Sequence, residues 1–196
     1  MDESLDRNQF LNLAGIFQGG LVAVAAVLAW MTGIDPREYA AWDWRAVAWG
    51  IGGTAPLFVL FLVSMRYPLG PLSRMKQFLV DTVAPLLAQC RWYDLILLGL
   101  LAGFTEELLF RGVLQPWFES LWGRAAGLIA ASVLFGLAHC VTRTYALIAG
   151  LVGAYLGWLL DASGERNLLA PVLTHSVYDY LAFLALVRLH RRGPSV

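Results

Sequence analysis

Apolar stretches of about 20 residues, enough helix to cross a bilayer, recur along this chain and decide what it can fold into. Six are legible, near Phe10–Thr32, Arg45–Met65, Trp92–Phe118, Arg124–Val141, Tyr145–Leu160 and Leu168–Val187. With 59% hydrophobic and 14% charged residues over 196 positions, the chain is far more apolar than a soluble domain. Between the second and third stretches, "LSRMKQFLVDTVAPLLAQC" sets Leu72, Met75, Phe78, Leu79, Val83, Leu86 and Leu87 on one face at helical spacing. Arg74, Lys76 and Asp81 argue against a span there, so this segment reads as a helix lying in the membrane interface. The expected fold is all-α, a polytopic transmembrane helical bundle of about six spanning helices plus one interfacial amphipathic helix.

Lysine and arginine placement sets the expected orientation. Arg7, Arg66, Arg74, Lys76, Arg91, Arg143, Arg188, Arg191 and Arg192 fall on the side of the N-terminus, against Arg37, Arg45, Arg124 and Arg166 on the other. The chain therefore reads as an integral, multi-pass protein of the plasma (inner) membrane with both termini cytoplasmic. The opening "MDESLDR" is acidic where a cleavable signal begins with positive charge. Cys90 and Cys140 are too few for a disulfide framework. His190, in "RLHRRG", belongs to a basic tail suited to lipid headgroups. Tryptophans mark the interfaces, and zero formal net charge gives no reason to expect nucleic acid as a partner.

Charges inside such helices cost roughly 2.5–3.5 kcal/mol each and mark functional sites. They cluster here: Glu106, Glu107 and Arg111 in the third stretch, His139 in the fourth, His175 and Asp179 in the sixth. Glu107 and Arg111 are four apart with the acid first, the favourable order for an ion pair on one helix face. Glu106 is rotated about 100° from Glu107 and is left without that partner. His175 and Asp179 are also four apart, so the carboxylate can orient the ring. Phe135 precedes His139 by the same interval and can pack beside its imidazole. Gly99, Gly103, Gly136 and Gly153 allow helices to approach closely enough for these side chains to converge. By hydropathy, however, Glu106 sits at mid-membrane, His139 near the cytoplasmic end of its span and His175 in the outer half of its own.

A carboxylate and an imidazole aimed at one water form a hydrolytic pair, with a general base on one side and donors stabilising an oxyanion on the other. Zinc is the rival chemistry, because Glu106, His139 and His175 satisfy the ligand inventory of an open catalytic site. No HExxH pair supplies two ligands from one helix. A rival of another class is a non-enzymatic membrane protein, such as a bacteriocin-immunity factor, whose polar cluster only holds the bundle together. Cys140, next to His139, would suggest a cysteine nucleophile, but neighbours on a helix point about 100° apart.

Three motifs sharpen the choice. "EELLFRG", "FGLAH" and "HSVYD" resemble, in order and residue type, the EExxxR, FxxxH and HxxxN/D motifs of the CPBP family, the CAAX-protease and bacteriocin-processing (Abi) intramembrane glutamic endopeptidases. The resemblance covers about Trp92–Val187. With no repeat, low-complexity tract or second domain, the chain reads as a single membrane domain, 1–196, with N-terminal helices over 1–91, and the resemblance implies a catalytic core over about 92–187. It further implies a metal-independent protease without cofactor, acting on a peptide or membrane-protein substrate within the lipid bilayer. Glu106 would be the general base, His139 would hold the same water, and His175 with Asp179 would form the oxyanion side. Glu107, Arg111 and Phe135 would have structural or positioning roles. The eukaryotic CAAX-processing branch has asparagine at the last motif position. Asp179 cannot donate when ionised, so either it carries a proton or it supports a cationic His175 that donates.

Overall fold

The computed structural model describes residues 5–192, so the first four residues of the acidic opening and the last four of the tail lie outside the described residues. Among the described residues every regular element is helical. α1 (Arg7–Thr32) leads through a 3₁₀ turn at Pro36–Tyr39 to α2 (Trp44–Arg66). α3 (Pro71–Phe78) and α4 (Ala84–Ala88) are joined by a π turn at Leu79–Val83. α5 (Trp92–Leu109) continues through a second π turn, Phe110–Leu114, into α6 (Gln115–Trp122). α7 (Arg124–Ala138), α8 (Arg143–Leu159) and α9 (Leu169–Arg192) complete the bundle.

Among the described residues three helices, α1, α2 and α9, are long and apolar enough to cross a membrane, and the chain is an integral membrane protein. The remaining expected spans look different. α5 carries Asp94, Glu106 and Glu107, while α7 and α8, at 15 and 17 residues, are about 22 and 25 Å long at 1.5 Å per residue. They form a hairpin somewhat shorter than the hydrocarbon core.

The amphipathic segment divides as its pattern predicts. Met75, Ala84 and Leu87 are buried, Leu72, Phe78, Leu79, Val83 and Leu86 are half-buried, and Arg74, Gln77 and Asp81 are exposed. Its buried face packs into an apolar cluster with Phe61 and Met65 of α2, Leu95 and Leu98 of α5, and Leu186 and Val187 of α9. Phe10 and Leu11 of α1 join the same cluster, and Arg7 makes a two-point ion pair with Asp94 (2.7 and 2.6 Å). The beginning of α1 and the end of α9 therefore share one end of the bundle.

At the opposite end the α6–α7 turn is tied to the α8–α9 loop. Asp161 pairs with Arg124 (2.8 Å) and Arg166 (3.1 Å), and Arg166 also reaches Glu119 (2.7 Å). Burial works against the charge on Arg166, but the Asp161 and Glu119 carboxylates outweigh it and hold the guanidinium above its ordinary range. Gly123 makes the turn there, at φ 84°, in the left-handed region where a Cβ is disfavoured.

α9 is the central helix, packed against α2, α5, α4 and α8. Small residues bring α5 onto it. A Cβ on Gly99 would come within 2.8 Å of the Ser176 carbonyl oxygen, and one on Gly103 within 2.6 Å of the Ser176 backbone nitrogen. α7 and α8 approach similarly at Gly136, where a Cβ would lie 2.5 Å from the Ala146 carbonyl oxygen. α1 is the least embedded helix, with only Ala25 buried.

Candidate active site

The close α5–α9 and α7–α8 crossings carry the polar side chains of four helices to one level. Glu106 lies 17 residues before Gly123 and His139 lies 16 after it, so both stand about 25 Å along their helices from the same turn. The depth mismatch expected from hydropathy disappears for this reason. The third segment runs on as helix to Trp122, beyond its apolar stretch, and α7 returns antiparallel to bring His139 beside Glu106.

His139 Nε2 lies 3.5 Å from Glu106 Oε2. The imidazole is at the C-cap of α7 with φ −101°, and its Nδ1 is 2.8 Å from the Phe135 carbonyl oxygen. A carbonyl only accepts, so Nδ1 carries the hydrogen and, in the neutral ring, Nε2 presents a lone pair towards Glu106. The Phe135 ring packs beside the imidazole at 4.4 Å between centroids. Among the described residues Glu106 Oε2 has no hydrogen-bond partner, and it is sealed from solvent in this conformation, a buried carboxylate oxygen with its acceptor capacity unused.

Glu107 and Arg111 form the expected pair, Nη1 donating to Oε1 over 2.8 Å, with the acid fully buried and the arginine side chain 1% exposed. The same oxygen accepts from His175 Nδ1, also at 2.8 Å. Arg111 Nη2 donates to the Gly153 carbonyl of α8 at 2.7 Å, and its guanidinium lies 4.5 Å from the centre of the Phe135 ring. Glu107 is thus the hub joining α5, α8 and α9 through its two partners. The closest polar atom to His175 belongs to Glu107, whereas Asp179 Oδ2 lies 3.6 Å from Nε2, beyond direct hydrogen-bonding distance. The sequence assigned orientation of the ring to Asp179. The contact with Glu107 joins residues 68 apart and leaves no local spacing to read.

A cavity of about 80 Å³ is lined by Phe135, His139, His175, Asp179, Tyr145 and Tyr178, among others. It adjoins an apolar cavity of about 270 Å³ between α2, α3, α8 and α9. Leu57, Tyr145, Ile148, Val152, Tyr178 and Asp179 line both. The two tyrosines were missed from the sequence: Tyr145 lies on α8, which presents no charged residue beyond Arg143 to draw attention to it, and Tyr178 lies on α9 in the shadow of the neighbouring Asp179. Among the described residues no three His, Cys, Asp or Glu side chains converge on one metal position. Of the proposed zinc ligands, His175 has Nδ1 committed to Glu107.

Compared with known families, residues 88–181, just under half of the chain, match the model described as type II CAAX prenyl endopeptidase Rce1-like. The match takes in all three motifs. No curated protein and no solved structure matches the chain.

Proposed function

We propose, from the match of residues 88–181 to the type II CAAX prenyl endopeptidase Rce1-like family and from the site geometry, that the protein is an intramembrane endopeptidase. It hydrolyses a peptide bond in a peptide or membrane-associated protein by glutamate-activated water, without a metal. The observation that carries the reading is the 3.5 Å approach of Glu106 Oε2 to His139 Nε2, with the far side of the ring tied to Phe135. A water beside that pair donates one hydrogen to the carboxylate and the other to the imidazole nitrogen, leaving a lone pair directed at the substrate carbonyl. Glu106 takes the proton as the water attacks and returns it to the leaving amine.

His175, held through Nδ1 by Glu107 and flanked at Nε2 by Asp179, supplies the oxyanion side as a doubly protonated ring. Glu107, Arg111 and Phe135 position these groups. In this reading the whole chain forms one membrane domain of six spans, with both termini on the cytoplasmic side. Asp179 stands where the eukaryotic CAAX-processing branch has asparagine, so the proposal stops at peptide-bond hydrolysis and does not extend to prenylated-substrate specificity.

The test is mass-spectrometric detection of new peptide termini when the reconstituted protein meets a broad peptide library, with Glu106→Gln and a chelator-treated sample in parallel. Products that persist in chelator and vanish in a folded Glu106→Gln variant are expected. Loss in chelator alone would favour zinc held by Glu106, His139 and His175. A Glu106→Gln variant that unfolds, beside a parent without products, would favour a structural role for the cluster.

A further inference from the structure

The groups around the reacting water are rich in acceptors and poor in donors. Glu106 and Asp179 accept when ionised, and the neutral His139 ring presents a lone pair at Nε2 because Nδ1 donates to Phe135. His175 has one nitrogen committed to Glu107. A tetrahedral intermediate forming here would have at most one donor, His175 Nε2–H, among the motif residues. Such intermediates are stabilised by donors fixed in advance.

Tyr145 is placed to supply another. It lies at the start of α8, where Thr142 caps the helix by accepting from the Tyr145 backbone N–H (3.1 Å). That cap fixes the backbone from which the side chain enters the cavity holding His139, His175 and Asp179. Its ring is 6.3 Å from the His139 ring, edge to face. Among the described residues its hydroxyl makes no hydrogen bond within the protein, and it is not among the sealed, unpartnered polar atoms. The hydroxyl is therefore an unpartnered donor on a side chain that lines the cavity.

We propose that Tyr145 is a catalytic residue, its hydroxyl donating to the oxyanion formed on the scissile carbonyl. The inference rests on the endopeptidase reading above. As the water oxygen bonds to the carbonyl carbon, its proton passes to Glu106 and the carbonyl π pair moves onto oxygen. The Tyr145 O–H donates to that oxygen and keeps its proton. Collapse restores the C=O bond, breaks the C–N bond and returns the proton from Glu106 to nitrogen.

The experiment compares reconstituted full-length parent, Tyr145→Phe, Tyr178→Phe and Glu106→Gln on the peptide the parent cleaves best. Binding of the matching phosphinic peptide, whose anionic oxygen imitates the intermediate, is measured alongside. Tyr145→Phe is expected to lower kcat by about 10²–10³-fold, the usual effect of losing one such donor, with KM and melting temperature unchanged and phosphinate affinity reduced in parallel. Tyr178→Phe removes the other hydroxyl on the cavity wall and is expected to lower kcat less than Tyr145→Phe does; the reverse order would overturn the assignment of Tyr145. An inert Glu106→Gln beside a fully active Tyr145→Phe would overturn the assignment of Tyr145 alone, and an active Glu106→Gln would overturn the reading beneath it. Should Tyr145→Phe not fold, 3,5-difluorotyrosine at position 145 keeps the shape and makes the hydroxyl more acidic. The alkaline limb of kcat is then expected to move to lower pH, and an unmoved limb would overturn the proposal.

Discussion

Glu107 and Arg111 show what a buried charge pair costs and what it holds in place. Both are sealed from solvent, and each has a second partner, His175 for the acid and the Gly153 carbonyl for the arginine. Removing one member of such a pair strands the other, a loss of about 3–5 kcal/mol. Arg111→Met is therefore expected to destabilise the protein by that amount, read as the shift of an unfolding titration in mixed micelles. Glu107→Gln keeps an acceptor oxygen but loses the charge that faces both Arg111 and His175. Its loss of activity is expected to exceed its loss of stability, measured as kcat beside the same titration. Phe135 ties the two halves of the site together, its ring in contact with both the Arg111 guanidinium and the His139 imidazole. Phe135→Leu removes a desolvated cation–π contact of about 2 kcal/mol and frees the His139 ring, so stability and kcat are expected to fall together. The intrahelical Glu107–Arg111 pair was legible because four-residue spacing is a local rule. The Glu107–His175 hydrogen bond was not, because the packing of α5 on α9 creates it.

At the scale of helices, the glycines that admit close approach were legible as small residues in apolar runs, whereas their partners and the backbone irregularities were not. Two π turns interrupt long helices, one at Leu79–Val83 and one at Phe110–Leu114. The second begins three residues after Glu107 and contains Arg111, in keeping with the frequent placement of π turns at functional sites. Apolar periodicity does not register one extra residue in a turn, so both segments read as uninterrupted helix or span. Gly103 is where packing and chemistry meet, three residues before Glu106 and against the backbone of Ser176, which neighbours His175. Gly103→Ala must push α5 away from α9, because the obstructing atoms include backbone, and overpacking of this kind costs about 1–3 kcal/mol. The displacement also separates Glu106 from the His175 side, and a misplacement of about 1 Å can cost 10²-fold in rate. Gly103→Ala is accordingly expected to lose most activity while remaining partly folded. Gly15→Ala, on α1 where an added Cβ meets nothing within 4 Å, is expected to leave both activity and melting temperature in place. Equal effects of the two substitutions would remove the α5–α9 crossing as the element that sets the site.

Across the whole molecule, the site is expected to open towards the end of the bundle that carries the beginning of α1 and the end of α9, the end into which the adjoining apolar cavity runs at Tyr67, Leu72 and Leu186. The α7–α8 hairpin is anchored at the opposite end by the Arg124, Asp161, Arg166 and Glu119 ion pairs. Its tip, His139 to Thr142, returns only as far as the level of Glu106, while α5 begins 14 residues earlier at Trp92. The distance from Trp92 to Glu106 is about 21 Å along the helix. Water reaching Glu106 from this side passes the hairpin tip, where Cys140 is exposed, whereas Cys90 near the same end is buried. On the orientation proposed from the excess of arginine and lysine, this end faces the cytoplasm. A membrane-impermeant maleimide is therefore expected to label Cys140, and not Cys90, in inside-out vesicles, and neither in intact cells. Labelling is expected to abolish peptide cleavage by placing bulk beside His139. Cys140→Ser is expected to remain active and become resistant to the reagent, because the sulfur takes no part in the chemistry. Labelling of Cys140 from the outside of intact cells would invert the orientation without altering the site. Retained activity in fully labelled protein would instead mean that water and substrate enter elsewhere, with the apolar cavity between α2, α3, α8 and α9 as the remaining route, since it shares Tyr145 and Asp179 with the site.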